Sequence, residues 1–167
     1  MSPSKLFRDF PERLRAGTER PEASYTRVPG YYAVHHGREQ ADTNGAVMTL
    51  KEEGIAIYRG EPDENHGDTI SLTPVYSLQP SGPLAVPTGK VFIRFAQGVE
   101  AASRREEIES AGYEIIKTSN YTPHTAWLQS TSGSIAHSLS NINALESLKD
   151  VENVEPQMLT VREVRES

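Results

Sequence analysis

Between Gly89 and Val161 the apolar pattern switches repeatedly between a two-residue and a 3.6-residue period, and that succession narrows the possible folds more than any other feature. Lys90–Phe95 reads as a strand with Val91, Ile93 and Phe95 on one face and Phe92 and Arg94 on the other. Ala101–Ala111 follows as a helix, with Gly112 at the position past its end where positive φ is needed. Tyr113–Lys117 and Thr125–Gln129 are two further strands, joined by a loop through residues 120–124. Ser132 or Ser134 caps a second helix whose Ile135, Leu139, Ile142 and Leu145 fall on one stripe, and Asp150 ends it. Val151–Glu155 is the closing strand.

Two helices with one apolar stripe each and four short strands bury themselves most simply in two layers. The pattern therefore predicts an α+β fold, a ferredoxin-like βαββαβ two-layer sandwich, with both helices on one sheet face. The opposite face carries Phe92, Arg94, Thr125, Trp127 and Gln129. A Phe and a Trp together on an open face exceed what a monomer needs, unless upstream residues cover them.

Upstream, residues 31–80 alternate or run apolar in short stretches (Tyr31–His35, Ala46–Leu50, Gly54–Tyr58 and Thr69–Thr73) and predict a small antiparallel β meander. Residues 81–88, rich in proline and glycine, read as a linker to a domain spanning 89–163, with 164–167 as a short tail. Residues 1–30 are expected to be an N-terminal segment without fixed order unless a partner holds it. Its apolar positions 6, 7, 10 and 14 have helical spacing, but Pro11 interrupts them.

Charge and composition exclude several functions. The net charge is −6, with residues 1–30 at +2 and the remainder at −8, so the body repels phosphate backbones and nucleic acid is not an expected partner. There are no cysteines, which removes disulfides, thiolate catalysis and Cys-based zinc sites. No apolar leader is visible in residues 1–30 and no run of 18 apolar residues occurs, so no membrane partner and a cytoplasmic location are expected.

Catalytic equipment is sparse. Adjacent His35 and His36 point to opposite faces of a strand and cannot share a metal there. No nucleophile elbow, phosphate loop or dinucleotide fingerprint occurs, and no cofactor or metal is expected. Asn120–Thr122 matches a glycosylation acceptor, which carries meaning only in a secreted chain. Glu152 and Glu155 differ from the solvated charges Arg104–Glu107 because they sit in or at the end of the last strand. A carboxylate there either caps a helix of another protein or serves as ordinary edge-strand charge.

The order Gly89–Phe95, helix, Gly112–Ile116, Thr125–Leu128, helix with Leu145–Leu148, then Val151–Glu155 resembles the propeptide, or inhibitor, domain of subtilisin-like serine proteases over residues 88–163. Residues 31–77 also resemble the segment that precedes this domain in some large bacterial subtilases. The resemblance implies that the open sheet face, with Phe92, Arg94 and Trp127, packs on two surface helices of a protease. It implies that Glu155 caps one of them, while Gln157 stands where a second carboxylate is usual. It further implies that Met158, Leu159, Thr160, Val161, Arg162 and Glu163 lie in the substrate cleft as an extended, product-like strand. The Asp and His motifs of the proteases themselves are faintly echoed by Asp42–Gly45 and His66–Thr69, but the Gly-Thr-Ser nucleophile motif is missing, and both read as turns.

The leading expectation is thus a non-catalytic module that inhibits a subtilisin-like serine protease or assists its folding as a chaperone. The alternative is an interaction adaptor that recruits or regulates a protease-like partner through residues 1–30 and the meander. Acylphosphatase-like chemistry ranks last, because Ala96–Gly98 is too poor in donors to cradle a phosphate.

Overall fold

Proline and glycine break a strand pattern in sequence, yet a strand can pass through them if an extra residue is absorbed as a bulge. That is how this chain is built. The structure, a computed structural model, describes residues 7–19, 22–35, 46–50, 54–60, 71–79 and 82–161. Among the described residues nine strands occur in chain order: β1 (Arg13–Arg15), β2 (Ser24–His35), β3 (Met48–Leu50), β4 (Ile55–Arg59), β5 (Ser71–Gln79), β6 (Leu84–Phe95), β7 (Tyr113–Thr118), β8 (Thr125–Ser130) and β9 (Val151–Val161). Between β6 and β7 lie a 3-10 turn (Ala101–Arg104) and α1 (Arg105–Ser110); between β8 and β9 lie α2 (Ile135–Ser140) and α3 (Ile142–Glu146).

All nine strands belong to one antiparallel sheet, ordered β3-β4-β2-β5-β6-β8-β7, with β1 added beside β2 and β9 beside β6. β6 is paired on both flanks. β9 follows it from Leu84↔Val161 to Phe95↔Val151, while β5 pairs with its first residues and β8 with its last. β2 is used the same way, with β1 beside its first residues, β4 beside its last, and β5 along both parts. Each long strand bends at a bulge. Pro29 and Gly30 lie within the register shift of β2, and Thr88 and Gly89 within that of β6. Gly30 and Gly89 adopt φ of 87° and 90°, a conformation L side chains rarely take.

This arrangement corrects the expected fold. The chain is not a ferredoxin-like two-layer sandwich preceded by a separate meander; its described residues form a predominantly β structure, one nine-stranded sheet with three short helices. The strand, helix, strand, strand, helix, strand order of residues 89–161 is present, but β6 starts at Leu84, inside the expected linker 81–88, and carries the sheet on into β5. The helices are shorter than their apolar stripes suggested. The first begins as a 3-10 turn, and the second is interrupted at Asn141, where φ −103° and ψ 12° leave the helical region. Ser134 is the cap of α2, accepting the His137 backbone N–H at 3.2 Å, and Gly112 follows α1 with φ 95°.

Side-chain alternation distributes the core over both faces. On one face Val91, Ile93, Phe95, Leu128 and Val154 pack under Ala101, Ile108 and Leu145 from the helical segments. Farther along, Tyr32, Val34 and Tyr76 pack against Ala136 and Leu139 of α2 and against Phe7, Phe10 and Leu14. On the opposite face Ala33, Ile55, Ile57, Val75 and Val86 form a third cluster, joined by Met48, Leu50 and Leu159. Among the described residues, six strands and no helix contribute to it. Full burial of each large side chain contributes about 1.5–3 kcal/mol. Tyr76 and Tyr113 are buried among them, which pushes both phenols well above their ordinary pKa. Their hydroxyls donate to the carbonyls of Pro11 and Ser138, respectively.

The bulges differ in what surrounds them. A Cβ at Gly89 would come within 3.0 Å of Ile135 Cγ1, whereas one at Gly30 meets nothing within 4 Å. Gly89→Ala is expected to cost about 2–3 kcal/mol, from backbone strain plus overpacking, and Gly30→Ala about 1 kcal/mol from strain alone. Urea denaturation followed by Trp127 fluorescence checks this; equal losses would contradict the close approach of β6 to α2.

Candidate functional site

Residues directly opposite each other in an antiparallel pair share a face. The register Phe92↔Glu155, Phe92↔Trp127 and Trp127↔Lys117 therefore lines up Glu155, Phe92, Trp127 and Lys117 across β9, β6, β8 and β7 on the face away from the helices. The Phe92 and Trp127 rings meet edge to face, with centroids 5.2 Å apart. Both are half-buried. Around them lie Arg94, which pairs with Asn153 and Thr125 in register, and Gln129, whose Nε2 donates to Glu114 Oε1 at 2.7 Å. Thr125 itself is buried and turned to its own loop, its hydroxyl 2.9 Å from the Thr122 carbonyl. An aromatic pair ringed by polar groups is the usual build of a protein-binding patch.

Arg94 is an anchored cation. It forms an ion pair with Glu19 and approaches Glu152 at 3.7 Å. Glu152 reaches it because a register shift between Arg94 and Phe95 leaves that residue as the extra one on β9. Glu155 is less available than a free edge carboxylate. Its Oε1 accepts from Asn153 Nδ2 at 3.1 Å, and Gly17 lies so close that an added Cβ would come within 2.9 Å of the carboxylate.

The residues after Glu155 are placed differently from the expectation of a tail. Met158, Leu159, Thr160 and Val161 pair with Pro87, Val86, Ala85 and Leu84 of β6. Met158 packs in the cluster with Ala136 and Leu139 of α2, and Leu159 in the cluster on the opposite face. Gln157 accepts from the Thr88 hydroxyl at 2.8 Å. Through Val161, then, this segment is a strand of the chain's own sheet. Arg162 and Glu163 lie outside the described residues, as do His36 and the turns at 42–45 and 66–69.

The described part of the N-terminal segment, residues 7–19 and 22–30, was expected to lack order and is instead packed on the body. Phe7, Phe10 and Leu14 are buried, β1 pairs with β2, and the Arg27 guanidinium donates to the Phe7 and Phe10 carbonyls at 3.2 and 3.4 Å. Glu146 on α3 is its clamp. The carboxylate, with a side chain 13% exposed, takes both oxygens' worth of bonds from Arg15 at 2.7 and 2.9 Å and accepts the Thr18 hydroxyl at 2.6 Å. Thr18 also bonds the outer edge of β9, giving its N–H to the Val154 carbonyl and receiving the Val154 N–H on its Oγ1. Val154 thus points its backbone groups outward, and by alternation so does Pro156, which has no N–H to leave unpaired. A cleft of about 210 Å³ remains between the segment and α2–α3, lined by Leu14, Arg15, Leu139, Ile142 and Glu146.

Sequence reasoning found Phe92, Arg94 and Trp127 from alternation alone, but missed Lys117 and Glu114 as their neighbours. The signal was the doubled Ile115-Ile116, where alternation breaks. It missed Glu146 and Arg15 altogether, because residues 131 positions apart leave no local pattern. Among the described residues no group of three or more His, Asp or Glu is placed to hold a metal, and no helix is long and apolar enough to cross a membrane. No family model, curated protein or solved structure matches the chain.

Glu146→Ala removes three hydrogen bonds from the N-terminal segment. The expected loss is about 1–2 kcal/mol, discounted because Arg15 is half-exposed. Limited trypsin digestion checks it: cleavage after Arg13 or Arg15 is expected to accelerate several-fold, and an unchanged rate would show that the apolar contacts alone hold the segment.

Proposed function

We propose that this chain is a non-catalytic protein-binding module that docks through the sheet face centred on Phe92 and Trp127, and that its target is a subtilisin-like serine protease, which it inhibits or helps to fold. The observation that carries the reading is the edge-to-face Phe92–Trp127 pair on the face opposite the helices, ringed by Arg94, Gln129, Lys117 and Glu155. Aromatic side chains in such a setting concentrate binding energy, each worth about 2 kcal/mol or more when a partner desolvates it. The choice of protease rests on the sequence resemblance over residues 88–163.

The placement of β9 shifts the weight of this reading from the tail to the face. Residues 158–161 are held in the sheet by β6, so entry of that segment into a substrate cleft requires it to leave Pro87–Leu84 first. Docking by the face requires no such step. The adaptor alternative draws less support, since Phe7, Phe10 and Leu14 of the segment it would use are buried in this chain's own core.

Inhibition of a panel of subtilisin-like proteases by the purified chain tests the proposal. Submicromolar inhibition is expected, with Trp127→Ala weakening it by roughly 30-fold and removal of residues 162–167 changing it little. Absence of inhibition across the panel, with no fluorescence change of the single Trp127 on mixing, would sink it.

A further inference from the structure

We propose that β7 is a homodimer edge, pairing antiparallel with β7 of a second copy about a dyad at Ile115–Ile116. β7 ends the strand order of the sheet, so one flank of its backbone has no strand beside it among the described residues. Its inner face is covered by packing of Tyr113 and Ile115 with the helical core. Its outer half, Ile116–Thr118, is exposed, and Ile116, at 38% exposure, is one of three exposed large apolar side chains among the described residues.

The decisive feature is the register shift between Ile115 and Lys117. Ile115 pairs with the core residue Leu128, Lys117 with Trp127 and Thr118 with Ala126. Faces along β7 therefore read core for Tyr113, open for Glu114, core for Ile115, then open for Lys117 and core for Thr118. In a regular strand Glu114 and Lys117 would point to opposite faces. The bulge at Ile116 puts both on the open face, so that Glu114 and Lys117, like Tyr113 and Thr118, stand at equal distances from the strand centre on matching faces. Antiparallel pairing about its centre sets Glu114 of each copy opposite Lys117 of the other, and Tyr113 opposite Thr118, each pair on a matching face. Two reciprocal ion pairs follow, as an isologous interface requires. Glu114 is already held to the sheet by Gln129, and Lys117 has no ion-pair partner among the described residues. A dyad normal to the sheet brings the Phe92–Trp127 faces of both copies to the same side.

A six-residue strand pair is a small interface, so association is expected on the order of 10–100 µM. Sedimentation velocity over a concentration series reads it directly. Glu114→Lys and Lys117→Glu should each weaken self-association by at least roughly tenfold, because each sets like charges opposite one another twice. Mixing the two single variants should restore it, since one chain then carries only Lys and the other only Glu at these positions. Circular dichroism confirms that the variants fold. A wild-type chain that stays monomeric throughout the series would overturn the proposal and leave the bulge and Lys117 as guards against edge pairing. Dimers insensitive to both charge reversals would overturn it equally, by placing the interface elsewhere. Neither outcome depends on protease binding.

Discussion

Much of this fold depends on β6 being paired on both flanks, with β9 on one side and β5 and then β8 on the other. Twelve residues from Leu84 to Phe95 hold β9 on one side and successively β5 and β8 on the other. A strand so placed joins the sheet's two ends into one hydrogen-bonded body. It also supplies both faces of the core. Val91, Ile93 and Phe95 go under the helical segments, and Val86 goes into the cluster on the opposite face with residues from five other strands. The glycine at position 89 makes this possible, because a single strand must change direction without losing its partners.

Much of the local structure was legible. The strands around Val91, Ile115, Leu128 and Val154 were readable as short apolar runs between breakers, Gly112 marked the end of the first helix, and the cap expected at Ser132 or Ser134 is Ser134. The architecture was not. Pro80–Gly89 carries the residue types that end domains, and the same residue types make bulges; sequence alone offers no way to separate the two. What separates them is pairing by distant residues. Leu84 and Ala85 are flanked by Ser77 and Tyr76 on one side and by Val161 and Thr160 on the other, and the latter lie more than seventy positions away. The same blindness hid the N-terminal segment, whose Phe7, Phe10 and Leu14 have no local partner but a ready apolar surface made by Tyr32, Tyr76 and Leu139.

The candidate site shows the opposite balance. Phe92, Arg94 and Trp127 were readable because a face is a local property of alternating strands. The roles of Glu155 and the following residues were not, because they depend on what lies against them. Glu155 lies against Gly17 and Asn153, and Met158–Val161 lie against β6. Met158–Val161, the first part of the segment that the resemblance would send into a protease cleft, pair with β6 in the chain's own sheet. The aromatic face is covered by no helix among the described residues and sits beside β7, which ends the described strand order.

The central claim is that β6 makes the described strands a single cooperative body rather than two modules joined by a linker. Native-state amide hydrogen exchange tests it most directly, by comparing protection in β2 and β4 with protection in β6 and β8 as urea is raised. The account predicts that the most protected amides of all four strands converge on one global unfolding free energy. Residues of β2 and β4 opening at a distinctly lower free energy, while β6 and β8 stay closed, would contradict it.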